Sequence, residues 1–147
     1  MIGAFDFVGT ILSGWLSDRY DNRWLLFIYY GLRGLSLIVL PFTDFSVVGL
    51  SAFAVFYGLD WVATVPPTVR LTADVLGREK SGLVFGWIFT AHQLGAATAA
   101  FGAGAIRTDL GSYMLAFLIS GGFCVLTAFM VLGIGHKSLR PVAVAAE

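Results

Sequence analysis

The sequence predicts an all-α, polytopic transmembrane helical bundle with about five spanning helices, and three observations point to it. Hydrophobic residues make up 58% of the 147 and charged residues only 12%, about half of the ~25% found in soluble domains; mean hydropathy is +0.85. The apolar residues fall in long runs, and a helix needs about 20 of them to cross the ~30 Å hydrocarbon layer. The charges gather in short clusters between those runs, where membrane-surface turns belong.

Residues 1–16 form the first and shortest run. The charged stretch Gly14-Trp15-Leu16-Ser17-Asp18-Arg19-Tyr20-Asp21-Asn22-Arg23 then predicts a tight hinge at the membrane surface. A second run covers 24–42 and stops where Pro41 and Asp44 favour a turn. The third, 45–76, passes through Pro66-Pro67 and is expected to continue with a kink. Proline removes a helical hydrogen bond, but neighbouring helices can compensate for it in a bilayer. Ser81 is a candidate N-cap for the fourth run, 81–104, after the Gly77-Arg78-Glu79-Lys80 turn. The fifth run is 112–135, and a short tail follows. All of 1–147 therefore reads as one bundle.

Cations in short loops are retained on the cytoplasmic side. Arg19 and Arg23 lie in the first loop, Arg70, Arg78 and Lys80 around the third, and Lys137 and Arg140 in the tail. The opposite loops hold Asp44, and Arg107 with Asp109. This alternation predicts an outward N-terminus and an inward C-terminus. Trp15, Tyr20, Trp24 and Tyr113 fall near the expected interfaces, which suit amphipathic rings. A secretory signal peptide would need a basic leader, whereas Met1 opens directly into apolar residues.

A formal net charge of zero and a pI near 6.7 leave no basic face for nucleic acid. No phosphate loop, zinc spacing or nucleophile elbow is present, and no cofactor is expected. The lone Cys124, among Phe123, Val125 and Leu126, reads as an apolar thiol, and a single cysteine forms no disulfide within the chain.

Ionisable residues inside the apolar runs each cost at least ~2.5 kcal/mol at the bilayer centre and are functional candidates by default. They are Asp6, Arg33, Asp60 and His92. Asp60, next to Trp61, could bind a proton or a cationic group, and Trp61 could wall a cavity or simply pack. His92, with Gln93 beside it, suits proton exchange near neutral pH; a helix-to-helix hydrogen bond is the plainer role. Arg33 could touch substrate, pair with Asp6 or Asp60, or snorkel to the surface. Gly82, Gly86, Ala91, Gly95, Ala96, Ala100 and Gly104 recur at four-residue spacing and predict a close-packing surface on the fourth helix.

Gly14-x-x-x-Asp18-Arg19-x-x-x-Arg23, between two spanning runs, resembles the loop signature of the major facilitator superfamily. The family pattern usually has glycine where Asp21 stands and a cation where Asn22 stands. Pro66-Pro67, Leu71 to Gly77, Gly82, Gly86 and His92-Gln93-Leu94-Gly95 are similar to the tenth and eleventh helices of bacterial members. Together these segments cover nearly the whole chain. The resemblance implies a partial major facilitator fold, the eighth to twelfth helices of the C-terminal half, in a plasma membrane, with a bacterial inner membrane expected. It also implies that the third helix, with Asp60, faces a central cavity. In the carboxylate-transporting branch a cation often accompanies the acid on the first helix, and here Asp6 is followed by Thr10. A truncated gene or an internal start codon would account for an absent first half.

The hinge carries two further expectations. Asp18 is expected at the N-terminus of the fourth helix, where the dipole favours an anion. Arg19 or Arg23 is expected to pair with Asp74 in a cytoplasmic clasp; a solvated loop that only sets topology is the alternative. The expected function is secondary transport of a small solute, an organic acid among the possibilities, by alternating access with proton coupling. The chain alone would be inactive and would need its missing N-terminal half or another protomer. A membrane scaffold that packs against partner helices is the alternative of a different class. An enzyme with His92 and Asp60 as acid and base lacks a nucleophile or metal set.

Overall fold

The computed structural model describes residues 2–43, 47–60 and 62–135. Every regular element among them is helical: α1 (Ile2–Ser17), α2 (Asn22–Val39), a 3-10 turn (Leu40–Phe42), α3 (Val47–Asp60), α4 (Val65–Leu76), α5 (Arg78–Leu110) and α6 (Met114–Leu132). Among the described residues, two helical segments are long and apolar enough to cross a membrane, Asn22–Phe42 and Met114–Leu132.

Those two segments also make the most extensive helix pair, because a glycine on each faces the other. A Cβ on Gly34 would lie 2.8 Å from the Gly121 carbonyl oxygen, and one on Gly121 would lie 2.8 Å from that of Gly34. With no side chain at either position the backbones approach closely, which dispersion and packing favour where lipid supplies no hydrophobic drive. Phe27 and Phe129 meet edge to face near the cationic end, with centroids 5.4 Å apart.

The third run departs from its expected course. It is not one helix kinked at Pro66-Pro67 but two helices, α3 and α4, with an interruption between Asp60 and Val65. The prolines sit in the first turn of α4, where the missing N–H would have had no helical partner anyway. They start a helix rather than bend one.

The fourth run also differs. α5 begins at Arg78, directly after Gly77 with φ +86°, and Ser81 is not its cap: its hydroxyl donates to the Arg78 carbonyl at 2.8 Å. The helix has 33 residues, about 50 Å at 1.5 Å per residue, and ends at Gly111 in the left-handed region, whose N–H donates to the Arg107 carbonyl. It leans on α4 and buries none of its residues. The small-residue surface expected on it therefore packs against nothing described: a Cβ on Gly82, Gly86, Gly95 or Gly104 would meet open space. Close backbone approaches among the described residues are made instead at Gly9, Gly34 and Gly121.

Candidate functional site

The interruption between α3 and α4 frees backbone groups in the middle of an apolar run, and such groups must find partners. α1 supplies them. The Asp6 carboxylate accepts the Val62 N–H at 3.1 Å, and the Ser13 hydroxyl donates to the Ala63 carbonyl at 2.5 Å. Ser13 is fully buried and Ala63 nearly so. Between the two, Gly9 lets the helices touch: a Cβ there would lie 2.1 Å from the Leu59 carbonyl oxygen. Asp6, Gly9 and Ser13 fall at i, i+3 and i+7, one face of a helix. A carboxylate and a hydroxyl thus hold a broken helix, the arrangement in which transporters place substrate and coupling-ion sites.

Asp6 is the one expected pathway residue that the described structure brings to this break. It pairs with a backbone amide rather than with Arg33. The Arg33 guanidinium lies 5.8 Å from the Tyr30 ring centroid on its own helix. His92 and Gln93 are exposed on α5, with the imidazole stacked on Phe89 at 6.3 Å between centroids, and neither makes a hydrogen bond to another helix among the described residues. The Asp60 side chain and Trp61 lie outside the described residues, as do Asp44, Lys137 and Arg140. Ser13 and Gly9 were missed from the sequence, although their spacing from Asp6 was the available signal.

The hinge forms a second polar cluster around a cavity of about 490 Å³. Asp18 pairs with Arg70 of α4, so it does not dock at the start of α5. Arg19 stacks over Trp15 at 4.0 Å, and Arg23 pairs with Asp21 at 2.9 Å while donating to the Ile134 carbonyl. Neither arginine reaches Asp74, which makes no ion pair among the described residues. The physical reason is local: Asp21 caps α2 by accepting the Arg23 N–H at 2.9 Å, and the same arginine's guanidinium folds back onto it. Gly14 is under no packing constraint, since a Cβ there would meet nothing. Asn22 is buried and accepts a hydrogen bond from the Ser17 hydroxyl at 2.6 Å. Asp21 and Asn22, the two departures from the loop signature, are thus the residues that close this turn.

The Arg23 side chain holds the Asp21 carboxyl below the ordinary value of 3.8, chiefly by hydrogen bonding and also by charge. A lowered folded value means that ionised Asp21 adds stability above the unfolded value, and that this is lost as pH falls through the folded one. The Asp21 and Arg23 side chains are 42% and 23% exposed, so solvent screening keeps the contribution small. The difference in thermal midpoint between the parent and Asp21→Asn is expected to be constant from pH 8 to about 5 and to shrink below about 3.9. A difference that grows with acid would contradict this cap.

Comparison with known proteins agrees with this helical architecture. The family model described as Major Facilitator Superfamily matches residues 1–144. The chain is 29% identical to monocarboxylate transporter 12-B of Danio rerio, over 90% of this chain and 28% of that protein. It is 32% identical to monocarboxylate transporter 12 of Xenopus laevis, over 91% of this chain and 30% of the relative. The uncharacterized MFS-type transporter YcxA of Bacillus subtilis (strain 168) is 27% identical, over 88% and 33%. The chain therefore spans about a third or less of the length of these relatives. No match to a solved structure reaches significance. The family and its relatives are transporters, which sets aside His92 and Asp60 as the acid and base of an enzyme. The chain belongs to the Major Facilitator Superfamily, and its place is in a membrane.

Proposed function

We propose that this chain forms five spanning segments of the C-terminal bundle of a proton-coupled secondary transporter for a small organic acid. The observation that carries the reading is the broken third helix held by Asp6 and Ser13. Ionised Asp6 caps Val62, and the protonated acid is a weaker acceptor for that amide. Binding a proton would therefore loosen α1 from the break, so a proton can be exchanged for a change in helix packing. The names of the relatives support a carboxylate as cargo. α1 has no lysine or arginine, so the cation that would meet this cargo comes from elsewhere.

Alternating access needs a second bundle to rock against, and the uncovered length of α5 provides a surface for it. That bundle is an N-terminal half or another protomer. The distribution of the loop cations supports an N-terminus outside and a C-terminus inside a plasma membrane, a bacterial inner membrane being the expected one.

The test is uptake of labelled short monocarboxylates into proteoliposomes under an inward proton gradient. The chain alone is compared with the chain expressed in continuity with its upstream coding sequence. Gradient-driven uptake is expected only in the joined form. In Asp6→Asn the stimulation by the gradient is expected to fall about 10-fold or more, in the range of a lost proton-transfer group. Full stimulation in Asp6→Asn would remove Asp6 from coupling. No uptake by a well-inserted joined protein would favour the scaffold reading.

A further inference from the structure

α1 turns its polar face inward. Phe7, Val8, Ile11, Leu12 and Trp15 are exposed, whereas Asp6 and Thr10 are half-buried and Ser13 and Ser17 buried. The four polar residues fall at i, i+4, i+7 and i+11, one face of a helix. From Asp6 to Ser17 that face runs about 16 Å at 1.5 Å per residue, half of a ~30 Å hydrocarbon layer. Its contacts from Asp6 to Val62, Ser13 to Ala63 and Asp18 to Arg70 lay it along the break and α4. It ends at water: Ser17 and its partner Asn22 line the hinge cavity of about 490 Å³, with Asp74 in the same wall.

Thr10 is the telling member. The six other threonines inside described helices each donate to the carbonyl four residues back. The Thr10 hydroxyl makes no hydrogen bond among the described residues, although it is half-buried between Asp6 and Ser13. A hydroxyl in that position calls for water. Steps of three or four residues are about 4.5–6 Å, too long for a direct hydrogen bond and of a length that one water bridges.

We propose that Thr10, Ser13 and Ser17 carry the proton between Asp6 and the hinge cavity. This rests on Asp6 as the coupling acid and adds the route by which it is discharged. A hydroxyl has one proton to give and lone pairs to receive another. Each oxygen in the file, side chain or bridging water, passes a proton toward the hinge and takes one from the oxygen before it. The file ends unchanged, Asp6 is left as the carboxylate, and one proton has reached cavity water.

The test compares two modes of the joined protein in proteoliposomes. Gradient-driven uptake of a labelled monocarboxylate requires Asp6 to discharge; exchange of labelled for unlabelled cargo at equal pH does not. Thr10→Val, which keeps the shape and removes the hydroxyl, is expected to lower gradient-driven uptake about 10-fold or more, to raise its solvent isotope effect in D2O, and to spare exchange. Ser17→Ala should do the same, and Thr10→Ser and Ser17→Thr should restore uptake. Uptake and exchange falling together would assign these hydroxyls to packing and overturn the route. Gradient stimulation lost in Asp6→Asn but kept in Thr10→Val and Ser17→Ala would also overturn it, while leaving Asp6 as the coupling acid. Full stimulation in Asp6→Asn would remove both.

Discussion

Gly9→Val is expected to separate α1 from α3 and to release the helix break from both of its clasps. A Cβ at position 9 would meet the carbonyl oxygen, carbonyl carbon and Cα of Leu59 at 2.1, 2.8 and 2.9 Å. All three are backbone atoms and cannot rotate aside. Overpacking in a tight core costs about 1–3 kcal/mol, and shifting α1 bodily would add the loss of the Asp6 and Ser13 hydrogen bonds, each ~1 kcal/mol or more. Hydrogen exchange at the Val62 amide gives the direct reading. Its protection should fall sharply in Gly9→Val and moderately in Asp6→Asn, with Ser13→Ala acting through the neighbouring Ala63 carbonyl. Unchanged protection in Gly9→Val would mean that the break is not held from α1.

Gly34→Ala and Gly121→Ala are each expected to lower the thermal midpoint in detergent by opening the α2–α6 crossing. The added methyl at 34 would meet the Val125 side chain at 2.7 Å and the Gly121 carbonyl at 2.8 Å; at 121 it would meet Ile38 at 2.6 Å and the Gly34 carbonyl at 2.8 Å. Ile38 and Val125 can shift, but the carbonyls cannot, so a cost of about 1–3 kcal/mol per site is expected. Because both methyls push on one crossing, the double variant should cost less than the sum of the singles, whereas independent sites add within ~0.3–0.5 kcal/mol. Strict additivity would show that the two glycines do not share one contact.

The helical class and the family were legible because composition and run length act over tens of residues and local exceptions do not disturb them. The signature residues Asp18, Arg19 and Arg23 were legible as a hinge, but their partners were not. Sequence does not show that Arg23 will fold back onto Asp21 two residues away, which leaves Asp74 without an ion pair among the described residues. Pro66-Pro67 was read as a kink because proline looks the same inside a helix as at its start; what separates the two is the turn before it. Asp6 was visible by its charge alone, whereas Ser13 was hidden because a serine in an apolar run is unremarked until the carbonyl opposite is known. Gly34 and Gly121 are 87 residues apart in number, and no local pattern announces that pairing. The small-residue repeat on α5 was the more regular signal, and it packs against nothing described.

The Asp18–Asn22 turn has a bearing on how the chain is made. Its internal contacts span at most five residues: Ser17 to Asn22, Asp21 to Arg23, Arg19 back to Trp15. Arg70 and the Ile134 carbonyl, its distant partners, are synthesised later. This reversal of direction can thus close on itself as α2 emerges, and the helices that follow it arrive at a corner already built.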